Sequence, residues 1–481
     1  MGVVTKIWAR ALRAPQTIRT ILVGFPSVEA SVECVSSIIA RGILPRVLEA
    51  MDKTTVESVE AYKPAGYPKA EAVLLIELDG LRERVQEEAR EVAALCRAHG
   101  AVEYREASDE TERERLWEGR RGAYAAVARI APNVLVEDGV VPRGKLAEAY
   151  RRVLQIAQER KVTVAMLFHA GDGNLHPNIA FDERDADQTR RVKEAGFEVL
   201  RACVELGGSI SGEHGIGSDK RRAMAWLFTS ETLALFRRIK AAFDPRSISN
   251  PDKLIPLADE ISQRYSAHAA KPPLSAPARQ LLERLRDSIA DRAAICIIGA
   301  GTRLPENIRL PEKTVTLSTR TLSDIVELDR SNYTVRAEAG ISVEEFLRRM
   351  RAEGFYPPVP MSTGTLGGLA ATKAWPGLRD HLLGMRILLA SGEIAELGGK
   401  VVKNVAGYDV PKVLLGSWGS LAIILDMTLK LYPSPLEFPE ALPLMPTPKP
   451  FIPNVWHRKL KSAFDPDNRL NPWVFDTDTR P

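Results

Sequence analysis

Cysteine is scarce in this chain: Cys34, Cys96, Cys203 and Cys296 are the only four in 481 residues, widely spaced and with no CxxC pair. That pattern excludes an iron–sulfur cluster or a cysteine zinc site encoded here. Cys96 and Cys203 fall in helical patterns and read as reduced core residues. No apolar run approaches the ~18 residues a membrane helix needs, and the N-terminus lacks a signal peptide's apolar core. A cytoplasmic protein with no integral membrane segment is the expectation. Excess charge is also missing, with 66 basic residues against 62 acidic ones and a net charge of +4. No basic cluster interleaves with aromatics, so nucleic acid is not an expected partner.

Histidine is sparse too, at seven residues. Yet His169, His176 and His214 fall in two short glycine-rich stretches, His169-Ala-Gly-Asp-Gly-Asn-Leu-His176-Pro-Asn178 and Gly212-Glu213-His214-Gly215. His169 closes a strand-like run (Lys161–Phe168) and His176 opens the next (Leu175–Phe181), with a Gly-Asp-Gly turn between. A hairpin can bring such side chains toward one point, and Asn178, two residues beyond His176, shares its strand face. Gly207, Gly208, Gly212, Gly215 and Gly217 allow the second loop unusual backbone angles. Adjacent Glu213 and His214 can then aim at different targets. Two imidazoles and a carboxylate, with another histidine beside the carboxylate, suit a divalent-metal site with a nearby general base.

Along the chain, residues 20–258 alternate strand-like runs (Thr20–Val23, Ala72–Leu78) with helical ones. Leu81, Val85, Ala89, Val92, Leu95 and Cys96 recur at helical spacing, and Gly100 follows as a stop. The pattern predicts an α+β domain over residues 1–258 with a mainly antiparallel sheet. A linker covers 259–278, with Ala270–Pro277 its clearest part. A second, α/β region runs over 279–435. Eight prolines between Pro433 and Pro453 exclude a helix or central strand there, so 436–481 is expected to be an extended connector and C-terminal tail. Lys240-Ala-Ala-Phe-Asp-Pro245 with Asn250-Pro251 recurs as Lys461-Ser-Ala-Phe-Asp-Pro466 with Asn471-Pro472. Gly2–Pro15 more weakly matches Ala422–Pro435. These copies lie about 220 and 420 residues apart, far beyond a solenoid's period of ~20–50, and together suggest joined pieces of two related genes.

HAGDGNLHPN, GGSISGEHGIG and the FDP…NPDKLIP tail give residues 2–256 their family likeness. This part resembles the C-terminal half of FAD-linked oxidases of the glycolate oxidase and D-lactate dehydrogenase type, in the vanillyl-alcohol-oxidase-like superfamily. The resemblance implies that His169, His176 and Glu213 ligate a divalent metal, zinc first, with iron or manganese as alternatives. It implies that Asn178 contacts substrate and that His214 takes the hydroxyl proton. Arg120, in Trp117-Glu-Gly-Arg120, matches the arginine that grips the substrate carboxylate, a task suited to a bidentate guanidinium. The hydroxyl and lysine that follow this arginine in the family have no clear counterparts around Tyr124 and Val136.

Residues 290–435 resemble the FAD-binding domain of the same superfamily (the PCMH type), and most closely that of a second flavin-type subunit. Gly299-Ala-Gly301-Thr302 follows an apolar run, and Gly364-Thr365-Leu-Gly367-Gly368 follows a proline-rich approach. Without a Cβ, such loops let backbone N–H groups approach a pyrophosphate. The longer match is Gly398-Gly-Lys-Val-Val-Lys403-Asn404-Val-Ala-Gly407-Tyr408-Asp409, followed by Gly416-Ser-Trp-Gly-Ser-Leu421. The resemblance places these residues against flavin and its phosphates. A nicotinamide-binding unit would need a third glycine and a helix; Leu304 and Pro305 stand there instead. Ala300 departs from the family's three consecutive glycines. No counterpart of the histidine that some members link to flavin is evident, so FAD should be noncovalent.

Family enzymes place the FAD domain first and the metal-bearing cap second; this chain reverses them. A linker of ~20 residues spans roughly 25 Å, enough for both to meet in one chain. The resemblance implies FAD-dependent oxidation of a small D-2-hydroxy acid, glycolate or D-lactate. It further implies an iron–sulfur subunit as electron acceptor, which would hold the protein peripherally at the inner membrane. The alternative is a noncatalytic flavoprotein subunit of a multisubunit glycolate oxidase.

Overall fold

The computed structural model describes residues 2–9, 11, 13–257, 260, 272–305, 308–435 and 450–476. They divide into two compact units, one of residues 6–215 with 401–404, the other of residues 216–400 and 405–481 with 1–5.

The first unit is built on an eight-stranded sheet of β1 (Thr17–Phe25), β2 (Val47–Asp52), β3 (Ala72–Gly80), β4 (Glu103–Glu106), β5 (Asn133–Val136), β6 (Gly139–Val140), β7 (Thr163–His169) and β8 (Asn174–Phe181). Their order is β4-β1-β3-β2-β7-β8-β5, with β6 also on β8. Every pairing is antiparallel. Helices α1 (Val28–Ala40), α2 (Lys53–Tyr62), α3 (Arg82–Ala98), α4 (Glu110–Val127), α5 (Leu146–Arg160) and α6 (Ala186–Glu205) cover the sheet. Strand side chains alternate between faces. Leu22, Met51, Val73, Leu75 and Leu167 therefore share one face, packed with Val56 and Val59 of α2 and Leu116 and Ala123 of α4. Ile179 and Val164 lie on the other face, with Val192 and Ala195 of α6. β3 has helices on both sides, which explains why its apolar residues are consecutive rather than alternate. Each such side chain contributes about 1.5–3 kcal/mol by leaving water.

The second unit begins with α7 (Met224–Leu227) and α8 (Ser230–Phe243) and continues with α9 (Ala276–Ala290). β9 (Ala294–Ile298) and β10 (Thr314–Ser318) form a parallel pair. β11 (Ile325–Asp329), β12 (Thr334–Glu338), β13 (Leu382–Leu388), β14 (Ile394–Gly398) and β15 (Ile423–Lys430) form a second sheet in the order β11-β12-β15-β13-β14, antiparallel throughout. Helices α10 (Val343–Ala352), α11 (Leu366–Thr372), α12 (Val410–Leu414) and α13 (Val455–Phe464) complete the unit.

Two boundaries lie elsewhere than the sequence pattern places them. The linker ends earlier than 278, because Ser275 caps α9 by accepting from the Ala278 N–H at 3.2 Å, and Pro277 suits the first turn. Most of the linker, and residues 436–449 of the proline-rich connector, lie outside the described residues. Residues 216–257 pack in the second unit, not with the sheet that precedes them. There the Thr232 hydroxyl of α8 accepts from the Glu396 N–H at 3.0 Å, and Phe243 stacks on Trp456 of α13 at 5.3 Å. Finally, residues 2–15 form no strand where they are described, although they read like the segment containing β15. A strand needs a sheet edge, and β15 itself fills the place between β12 and β13.

The stronger repeat is structural as well as sequential. Lys240 Nζ donates to Asp244 and to the Ser249 carbonyl, while the Ser249 N–H returns to Asp244. Lys461 Nζ donates in the same way to Asp465 (2.5 Å) and the Leu470 carbonyl (2.8 Å), and the Leu470 N–H returns to Asp465.

Candidate metal centre and flavin cleft

Strand register assembles the candidate metal centre. Glu49 of β2 lies opposite His169 of β7, and Leu167 lies opposite His176 of β8. Residues 167 and 169 project to one face, so Glu49, His169 and His176 share it. The two imidazole Nε2 atoms converge on Glu213 Oε1, at 3.1 Å from His169 and 3.2 Å from His176. One ligand atom from each of these residues lies within 4.8 Å of the others. Two nitrogens and a carboxylate at that spacing fit a divalent cation, zinc included. Burial, and then the neighbouring His169 imidazole, pull the His176 imidazole down to about 4, which keeps it neutral at neutral pH, the form that a metal ligand requires.

Two carboxylates not singled out by sequence hold this centre in shape. Glu49 Oε1 meets His169 Nδ1 at 2.6 Å, and its Oε2 accepts from Arg120 Nη2 at 2.7 Å. A carboxylate on the distal ring nitrogen fixes the tautomer and orientation of a metal-binding histidine. Asp138, fully buried, accepts the N–H groups of Glu213 (3.0 Å) and His214 (2.8 Å), the Ser211 hydroxyl and the Asn174 amide. Burial opposes its ionisation, but these donors prevail and hold the carboxyl down at about 2. Gly212 is required in this loop because a Cβ there would lie 2.7 Å from the Asn174 amide nitrogen.

His214 is exposed and stacks on His176, with ring centroids 5.1 Å apart. Arg120 comes from α4, which approaches closely through Gly119; a Cβ at that position would fall 2.6 Å from Ala65 Cβ. Its guanidinium is paired with Glu49. Asn178 shares the face of His176 but is buried, donating to the Ala165 and His176 carbonyls.

The cofactor candidates fall in both units. A cleft in the second unit is lined by Gly299, Gly301, Thr302, Thr365, Gly367 and Gly368 among others. Its bare glycine backbone suits phosphates. Gly364 borders it, where a Cβ would lie 2.7 Å from both Thr302 Oγ1 and Arg303 Nη1. Lys403 and Asn404, also expected beside the cofactor, make their side-chain contacts within the first unit. Lys403 Nζ pairs with Glu213 Oε2 at 2.8 Å, and Asn404 Oδ1 accepts from Ser209 at 2.8 Å. Both belong to the first unit, because the chain enters it over just four residues. Gly407 and Tyr408 pack on Phe236 of α8. Arg303, not singled out by sequence, lines the cleft and donates to the Thr363 carbonyl at 2.8 Å.

Residues 14–254 match the family described as FAD linked oxidases, C-terminal domain. The chain belongs to the FAD-linked oxidases. Residues 278–398 match the FAD binding domain family, so this FAD-linked oxidase carries the domain described as C-terminal ahead of the FAD binding domain. Glycolate oxidase subunit GlcD of Escherichia coli K12 is 42% identical over 269 residues, covering 56% of this chain and 54% of that one. The GlcD subunit of Bacillus subtilis 168 is 38% identical, over 53% of this chain and 54% of its own. A D-lactate dehydrogenase of Archaeoglobus fulgidus is 33% identical, over 53% and 55%. The chain spans about half the length of the curated relatives it matches. Among solved structures, p-cresol methylhydroxylase with substrate bound aligns at a TM-score of 0.39 and 13% identity, over 50% of this chain and 53% of that one; so distant a likeness carries no argument. Among the described residues, no helix of this FAD-linked oxidase is long and apolar enough to cross a membrane.

Proposed function

We propose that this chain is an FAD-dependent oxidoreductase that converts a small D-2-hydroxy acid, glycolate or D-lactate, to the 2-oxo acid. The observation that carries this reading is the convergence of His169, His176 and Glu213, with Arg120 joined to them through Glu49. A divalent cation held by those three side chains would supply Lewis acidity that lowers the pKa of the α-hydroxyl. FAD held by the glycine loops around Gly299 and Gly367 would supply the hydride acceptor. His214, exposed beside His176, is placed to take the hydroxyl proton on its imidazole. Arg120 and Lys403 attract the substrate carboxylate, each turning from an internal carboxylate partner toward the incoming one. Asn178, two residues beyond His176 on the same strand face, is the further residue proposed to contact substrate.

The four cysteines are buried, form no disulfide and are too widely spaced in sequence to read as a cluster site, and an iron–sulfur subunit is the electron acceptor proposed. Anaerobic mixing of FAD-loaded, zinc-loaded protein with glycolate and D-lactate tests the reading. Flavin absorbance should bleach with one of them, and His214→Ala should slow bleaching roughly 10²–10⁴-fold, the usual weight of a general base. Flavin that stays oxidised with both acids rules out the catalytic assignment.

The half-length coverage of the relatives favours a second reading, a noncatalytic flavoprotein subunit of a multisubunit glycolate oxidase. In that case FAD binds, neither acid reduces it, and the protein co-purifies with a complete catalytic subunit.

A further inference from the structure

The C-terminal tail ends the second copy of the Lys–Asp staple, and it enters the cleft lined by the glycine loops. Asn471 is buried, in a left-handed conformation (φ 41°). Its Oδ1 accepts from the Ile297 N–H at 2.8 Å, and its Nδ2 donates to the Trp418 carbonyl at 2.7 Å. One side chain thus joins β9, which leads into the Gly299 loop, to the Trp418-Gly419 turn. Trp473, two residues on, lines the same cleft. It is only 6% exposed, packed edge-to-face on Trp418 with ring centroids 6.0 Å apart. Its Nε1 is buried with no hydrogen-bond acceptor among the described residues. Buried indole N–H groups ordinarily find a partner.

The upstream copy supplies a control within the same chain. Lys240 and Asp244 make the same staple, but the equivalent Asn250 and Asp252 are exposed. The fold therefore needs neither a buried asparagine nor a tryptophan after the staple. Their presence at 471 and 473 goes with the cleft.

We infer that Asn471 and Trp473 are part of the FAD site: Asn471 fixes two walls of the cleft, and the Trp473 indole N–H donates to an acceptor atom of the cofactor. This rests on the reading of the protein as a flavoprotein. FAD titration of the full-length protein, followed by flavin fluorescence, tests it. Trp473→Phe keeps the packing and should weaken FAD binding about tenfold, the upper worth of one hydrogen bond. Asn471→Ala should weaken it further, and Asn250→Ala should leave it within about twofold of wild type. Hydrogen–deuterium exchange over residues 468–476 of the wild type supplies a readout free of substitution, and FAD should slow it. Wild-type protein that binds FAD while Trp473→Phe binds equally well, or tail exchange that FAD leaves unchanged, overturns the tail's role alone. Wild-type protein that takes up no FAD overturns the flavoprotein reading and the tail's role with it.

Discussion

Glu49 joins two candidate site residues that lie far apart along the chain, since one carboxylate holds the His169 imidazole and the Arg120 guanidinium. Replacing it with glutamine preserves shape but removes the charge that orients both. Loss of such an outer partner typically costs metal affinity, so Glu49→Gln should bind zinc roughly 10–100-fold more weakly. Competition with a chromophoric chelator measures this directly, and an unchanged affinity would show that His169 needs no orienting partner. His169 and His176 are legible in the sequence because rare histidines sit among glycines at hairpin spacing, and Glu213 because it stands beside another of them, His214, in a glycine-rich loop. Glu49 is not, because only the β2–β7 register brings it to His169. In the sequence it is one of 62 acidic residues, in a strand that otherwise reads as ordinary core.

At the level of elements, the Glu213-His214 loop has no helix or strand of its own and depends on Asp138. The folded pKa of Asp138, about 2, lies below its ordinary value of 3.8. Its contribution is therefore fully present above about pH 4 and is lost as pH falls through about 2, and the difference corresponds to about 2 kcal/mol. Asp138→Asn should lower stability by about that much at neutral pH, and the gap to wild type should narrow as the solution is taken toward pH 2. Denaturant unfolding at neutral and acid pH checks the sign; a gap that is constant with pH would mean that the ionised carboxylate is not what stabilises the loop. The same scale shows why some elements can be read from sequence and others cannot. The β7–β8 hairpin and α3 carry their own periodicity, and both fall close to the bounds that it predicts. Lys403 and Asn404 follow a glycine-rich motif, yet their side chains are engaged by Glu213 and Ser209, which no local pattern reveals.

At the scale of the whole molecule, family boundaries and packing boundaries differ. The FAD-linked oxidase match runs to residue 254, but α8 packs with α13 and β14 in the unit that holds the FAD binding domain. Its Phe236 is fully buried, against Gly407 and Tyr408. Sequence similarity follows descent, whereas packing follows the apolar face of α8, so the linker that ends before α9 separates two matches without separating two folding units. A chain divided within that linker should therefore hold together. Residues 1–258 co-expressed with residues 272–481 should co-purify, and Phe236→Asp should abolish this by placing a charge in a buried contact. Independent elution of the two wild-type halves would show that α8 contributes no binding, and would put the working boundary back at the linker.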